Sequence, residues 1–180
     1  MKIVTAMCNE SRGIGFKNAL PWPKLPGDYK HYRGLVAPKY TGEKTANIKG
    51  RLTWLSTDHS ESNQPGVINI VITTLPKESL KSSKVHYTSE SLSEAHQLAL
   101  ECGIKEDNIW IMGGHGIYKD AIAHPECSHL YLTRIYKEFD SDVTLPAFEH
   151  QFQKKRDLTI PDNVQEENGV RYQFEVYERT

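Results

Sequence analysis

The chain carries only three cysteines, and Cys8, Cys102 and Cys127 follow no spacing used by zinc sites or redox pairs. This excludes a disulfide framework and leaves reduced thiols as the expectation. Long apolar runs are also missing, and no apolar signal segment stands at the start, so a cytoplasmic protein without a membrane partner is expected. An excess of one charge is missing too. The formal net charge of −1 gives no reason to expect nucleic acid or an anionic surface as a partner. Repeats, low-complexity tracts and linkers are absent, so the 180 residues read as one domain, 1–180, large enough for a real core. His31, His86, His96, His115, His124, His129 and His150 form no ligand-spaced cluster, and His59 falls in the polar loop 57–65, so no metal is expected.

What is present is an alternation of short strands with helices. Strands are expected at Ile3–Met7, Ala46–Lys49, Ile68–Thr73, Val85–Tyr87, Asn108–Met112 and His129–Ile135. Arg156–Ile160 and Arg171–Tyr177 are expected to close as an antiparallel pair. Ala46–Lys49 is a weak strand, because Asn47 and Lys49 sit where a buried strand prefers apolar residues. The pattern argues for an α/β fold: a central, mostly parallel twisted sheet of about eight strands, its C-terminal strand antiparallel, flanked by helices.

The stretch from Gly13 to Tyr32 is the most informative. Its glycines permit tight turns, Leu20-Pro21-Trp22 makes a rigid corner, and Pro26 suits the first turn of a helix. Asp28, Tyr32 and Leu35 then share one helical face, which turns an acid inward. Alone, an Asp there is usually a cap or a dipole partner. Two later turns, Gly50-Arg51-Leu52-Thr53 and Gly113-Gly114-His115-Gly116-Ile117, each lead from a strand into a helix start where a phosphate could sit. Two such cradles favour a dinucleotide, although no GxGxxG follows the first strand.

IVTAM, GIG, ALPW and D-Y-x-x-Y, in that order, resemble the N-terminal signature of dihydrofolate reductase. GRLTW resembles that family's G-R/K-x-T-W turn, and IWIMGGHGIY its W-I-x-G-G-x-x-x-Y strand and turn. YLTRI, FDSDVTLPAF and QEENGVRYQFEVYER continue the likeness to the end of the chain, with a one-residue insertion within Asn9–Arg12.

The resemblance implies hydride transfer from NADPH to dihydrofolate, giving tetrahydrofolate, in a monomer that also binds antifolates. It makes Asp28 the ionisable group of the pterin pocket, with Thr133 hydrogen-bonded to it, Trp22 beside it and Leu20 closing over from the glycine loop. Val4, Ala6, Tyr29 and Tyr32 would line the pterin cleft, and Met112 and Tyr118 the side near the nicotinamide. Tyr32 stands where the family usually has Phe, so its hydroxyl needs a partner. Ala6, Ile14, Gly15, Gly50, Arg51, Leu52, Thr53, Thr73, Gly113, Gly114, His115, Gly116 and Ile117 would hold the cofactor.

Two departures stand out. Val67 occupies the place of the family's Arg for the substrate's α-carboxylate, Gln64 replaces an apolar wall residue, and Arg33 is the nearest substitute cation. Thr74 and Glu90 stand where basic residues of the 2′-phosphate pocket align. They motivate one alternative, a catalytically weak paralogue that binds nucleotide or folate. A pyrimidine reductase on the same fold is a third reading, against which Asp28 and the LPW corner argue.

Overall fold

The computed structural model describes residues 1–57 and 64–180. The polar loop expected at 57–65, with His59, falls mostly outside the described residues. Among the described residues, strands and α-helices follow in the order β1 (Lys2–Cys8), β2 (Gly13–Gly15), α1 (Pro26–Val36), β3 (Thr45–Gly50), α2 (Arg51–Ser56), β4 (Val67–Ile72), β5 (Tyr87–Ser89), α3 (Leu92–Glu101), β6 (Ile109–Ile111), α4 (His115–Ala123), β7 (His129–Ile135), β8 (Val143–Thr144), β9 (Phe152–Lys155), β10 (Gln165–Glu167) and β11 (Val170–Arg179).

The main sheet runs β10-β11-β7-β1-β6-β3-β4-β5, with β9 also on β11. In this sheet every pairing from β7 to β5 is parallel, as helical crossovers require, and its antiparallel pairings all involve β11, with β7, β9 and β10. β2 and β8 form a separate two-stranded ribbon that ties the glycine loop to the 143–144 segment. Ile3, Ile48, Ile70, Ile109, Ile111 and Leu130 are fully buried in the main core. Each such side chain contributes about 1.5–3 kcal/mol by leaving water.

Three expectations are corrected. Arg156–Ile160 is not a strand. Asp157 accepts from both Thr159 N (2.9 Å) and Thr159 Oγ1 (2.6 Å), a local turn that ends β9, so β11 pairs with the preceding Phe152–Lys155 instead. The fifth strand starts at Tyr87, because Val85 packs with Trp54, Val71 and Leu80 rather than joining the sheet. β3 is no weak edge. It lies between β4 and β6 with Asn47 and Lys49 each only 1% exposed, and the Lys49 ammonium sits 5.7 Å from the Trp54 ring centre. The three cysteines are free.

Candidate active site

Helix α1 begins without a side-chain cap of its own: Leu25 is the N-cap and Pro26 opens the first turn. Asp28 therefore is not spent as a cap. Its Oδ1 accepts a 2.7 Å hydrogen bond from Thr133 Oγ1 on β7. Burial pushes the Asp28 carboxyl up to about 6, the Thr133 bond acts against this, and the charge of Glu167 adds to it. At neutral pH this acid sits close to the point where it gains or loses a proton.

The walls around it come from several elements. Trp22, 6% exposed, packs with Leu25, Tyr172 and Phe174, which fixes the LPW corner against the start of α1. Ala6 lies directly across from Thr133 in the β1–β7 register. Val4 and Met112 form a buried cluster with Val36 and Trp110, and Tyr32 packs against it. The Tyr32 hydroxyl approaches Met112 Sδ at 3.9 Å, one partner for the group that replaces the usual Phe. Tyr118 donates to Val4 O at 3.0 Å, and burial raises its phenol to about 12, so it stays protonated. Tyr29 and Tyr32 face each other with ring centres 6.1 Å apart. The Arg33 guanidinium lies 5.7 Å from the Tyr29 ring, and its buried Nε has no hydrogen-bond partner among the described residues. Leu20 is not brought against this wall; it is 64% exposed beside the Phe16–Ala19 turn.

The two glycine turns meet. Gly50 N donates to Gly113 O at 2.7 Å, and a Cβ at Gly50 would press on the Ile117 side chain at 3.3 Å, so the joined turns favour a small residue there. A Cβ at Gly114 would lie 3.1 Å from Thr53 Oγ1, whereas one at Gly116 would meet no protein atom. The peptide between Gly113 and Gly114 is cis. Arg51, Leu52 and Thr53 open α2, and Leu52 is 62% exposed. His115 opens α4, and its Nδ1 is 2.7 Å from Thr144 O on β8, which links that turn to the ribbon containing Ile14 and Gly15. Thr73 caps the end of β4: its N donates to Ser89 O and its Oγ1 accepts from Leu75 N. The helix starts at Arg51 and His115, with an open space at Gly116, suit a dinucleotide's phosphates.

Sequence reasoning missed Glu167, Tyr172 and Gly27. Both Glu167 oxygens accept from Gly27 N, at 2.9 and 3.0 Å, and the Tyr172 hydroxyl donates to Glu167. The only signal was an acid within the closing hairpin. Two surface depressions of about 290 and 300 Å³ lie along the Lys154–Asp162 segment, and neither is lined by Asp28, Thr133 or a glycine turn.

Comparison with known proteins agrees with this arrangement. Residues 1–179 match the family model described as dihydrofolate reductase. The chain is 36% identical over 184 residues to the dihydrofolate reductase of Gallus gallus, covering 98% of this chain and 95% of that protein. It is 35% identical over 178 residues to that of Sus scrofa, covering 95% and 94%. The solved structure of Schistosoma mansoni dihydrofolate reductase superposes with a TM-score of 0.82 at 29% identity, covering 99% of this chain and 97% of the other. With its motifs in order and its partly buried acid on the first helix, the chain belongs to the dihydrofolate reductase family.

Proposed function

We propose that this chain reduces dihydrofolate to tetrahydrofolate with NADPH, and that Asp28 is the acid on which the reaction turns. The observation that carries the reading is the partly buried Asp28–Thr133 pair, beside the LPW corner on the same molecule as two joined glycine turns.

Reduction of the C6=N5 bond needs a hydride at C6 and a proton at N5. Bound NADPH supplies the hydride; the chain's residues bind, orient and manage the proton. Asp28 accepts from the pterin 2-amino group and N3–H, a bidentate contact that fixes a planar ring. Thr133 donates to Oδ1 and so restricts how the carboxyl rotates. With its carboxyl near 6, Asp28 favours the N5-protonated state as pH falls toward that value, so the rate should decline with rising pH. Trp22 holds the corner and an ordered water nearby, and Leu20, exposed at present, closes over the ring. Val4, Ala6, Tyr29, Tyr32, Met112 and Tyr118 form the cleft walls.

Gly50, Arg51, Leu52 and Thr53 on one side, and Gly113, Gly114, His115, Gly116 and Ile117 on the other, hold the dinucleotide's phosphates, with Ala6, Ile14, Gly15 and Thr73 completing the contact. We assign the protein to the cytoplasm and to a monomer; among the described residues no helix is long and apolar enough to cross a membrane. No observation favours the catalytically weak paralogue. Loss of NADPH absorbance that depends on added dihydrofolate tests the reading, and absence of turnover with purified, folded protein contradicts it.

A further inference from the structure

The hairpin turn between β10 and β11 is anchored to the start of α1 at two points. Asn168 Nδ2 donates to Lys24 O at 2.7 Å, just before the helix, and Glu167 takes Gly27 N with both carboxylate oxygens. Gly27 is glycine for this contact: a Cβ there would lie 2.0 Å from Glu167 Oε1 and 2.6 Å from the Tyr172 hydroxyl. Tyr172, fully buried, donates to the same carboxylate. An uncapped helix start thus receives its cap from an element 140 residues away, and the next residue along is the acid of the site.

From this arrangement we infer that Glu167 and Tyr172 are a positioning pair for Asp28, seating the helix turn that carries it and holding a fixed negative charge behind it. The inference rests on Asp28 being the acid of the reaction.

The groups acting on Asp28 are few. Thr133 on β7 favours the carboxylate through its hydrogen bond, and Glu167 on β10 opposes it by like charge. Tyr172 on β11 is pushed well up by burial and by Glu167, so it remains a neutral donor. His31, three residues along α1, stacks on Phe174 at 3.8 Å and is held low by burial, which keeps it neutral. Among the described residues, Glu167 is therefore the full charge that opposes ionisation of Asp28. It also offsets the positive end of the α1 dipole, which would otherwise favour the Asp28 carboxylate. Both effects of removing it have the same sign.

The test is Glu167→Gln, which keeps an oxygen for Gly27 N and for Tyr172 but removes the charge. Single-turnover hydride transfer measured against pH, and the Asp28 side-chain carbon signal followed by NMR in the ligand-free protein, should both show a midpoint lower by about half a pH unit. An unchanged midpoint, with only a uniform loss of rate or stability, would reduce Glu167 to a structural cap and overturn the inference. Tyr172→Phe supplies a second arm should the first variant fold poorly. It leaves the charge in place and strips a donor, so the midpoint should stay or rise, and a fall would contradict the pair. Asp28→Asn separates the layers: if the rate profile survives in that variant, the role of Asp28 fails, whereas if it vanishes and Glu167→Gln moves nothing, only the positioning pair fails.

Discussion

Thr133 on β7 reaches Asp28 on α1 across 2.7 Å, joining residues 105 positions apart. The bond crosses from sheet to helix at the point where Ala6, opposite Thr133, begins the cleft. It presents a neutral donor to a carboxyl whose pKa burial raises to about 6. The arrangement costs stability and serves the chemistry.

That cost can be measured. The folded carboxyl lies at about 6 against an ordinary value of 3.8, so its contribution is most favourable below the ordinary value and is lost as pH rises through about 6. Asp28→Asn keeps an acceptor for Thr133 without the buried charge. Thermal or urea unfolding should find the variant more stable than the parent by roughly 3 kcal/mol at pH 8 and about equal to it at pH 3.5. A variant less stable at pH 8 would mean that the site does not penalise the charge.

Cofactor choice should follow from the β4–β5 edge. Ile72 pairs with Ser89, and Thr73 N donates to Ser89 O, so the residues that follow, Thr74 and Glu90, leave the sheet side by side and exposed. An acid there repels a 2′-phosphate and accepts from a free 2′-hydroxyl. The kcat/KM ratio of NADPH to NADH should therefore be modest, and Glu90→Lys should raise it roughly tenfold, equivalent to about 1.4 kcal/mol. No change on Glu90→Lys would place the 2′-phosphate elsewhere.

If the dihydrofolate glutamate tail is held here, Arg33 should hold it, because Val67 offers no charge at the start of β4. Val67 is 4% exposed at the start of β4, while Arg33 keeps a buried Nε without a partner among the described residues. Arg33→Ala should weaken methotrexate about tenfold and leave a diaminopyrimidine without a glutamate tail nearly unaffected. Val67→Arg should tighten methotrexate selectively, at some cost in stability, because the guanidinium must leave a buried position. Equal changes for both ligand classes in isothermal titration would detach Arg33 and Val67 from the tail.

Much of this was legible in the residues. The apolar runs of β1, β4 and β7 announce central strands because both faces of a parallel sheet are covered. The LPW corner and the 28-32-35 stripe suggest an inward acid, but the helix start alone also fits a cap; the resemblance of the surrounding motifs decided for the site. β3 was harder to read, since Asn47 and Lys49 are carried into the interior by neighbours on both sides rather than by their own preference. Arg156–Ile160 has a strand's composition, but a three-residue turn at Asp157 overrides it. Glu167 was invisible as a site residue because its partners, Gly27 and Asp28, come from the other end of the chain. Capping between distant elements leaves no periodic trace.

The most direct measurement is single-turnover hydride transfer from NADPH to dihydrofolate by the parent protein and by Asp28→Asn across pH 5 to 9, with NADPH affinity measured alongside. The parent rate should fall as pH rises. The variant should lose about a hundredfold or more of the rate near neutral pH, the scale of a lost proton-transfer group, with NADPH affinity unchanged because the glycine turns are untouched. A variant that transfers hydride at the parent's rate and with the parent's pH profile would contradict the assignment of Asp28.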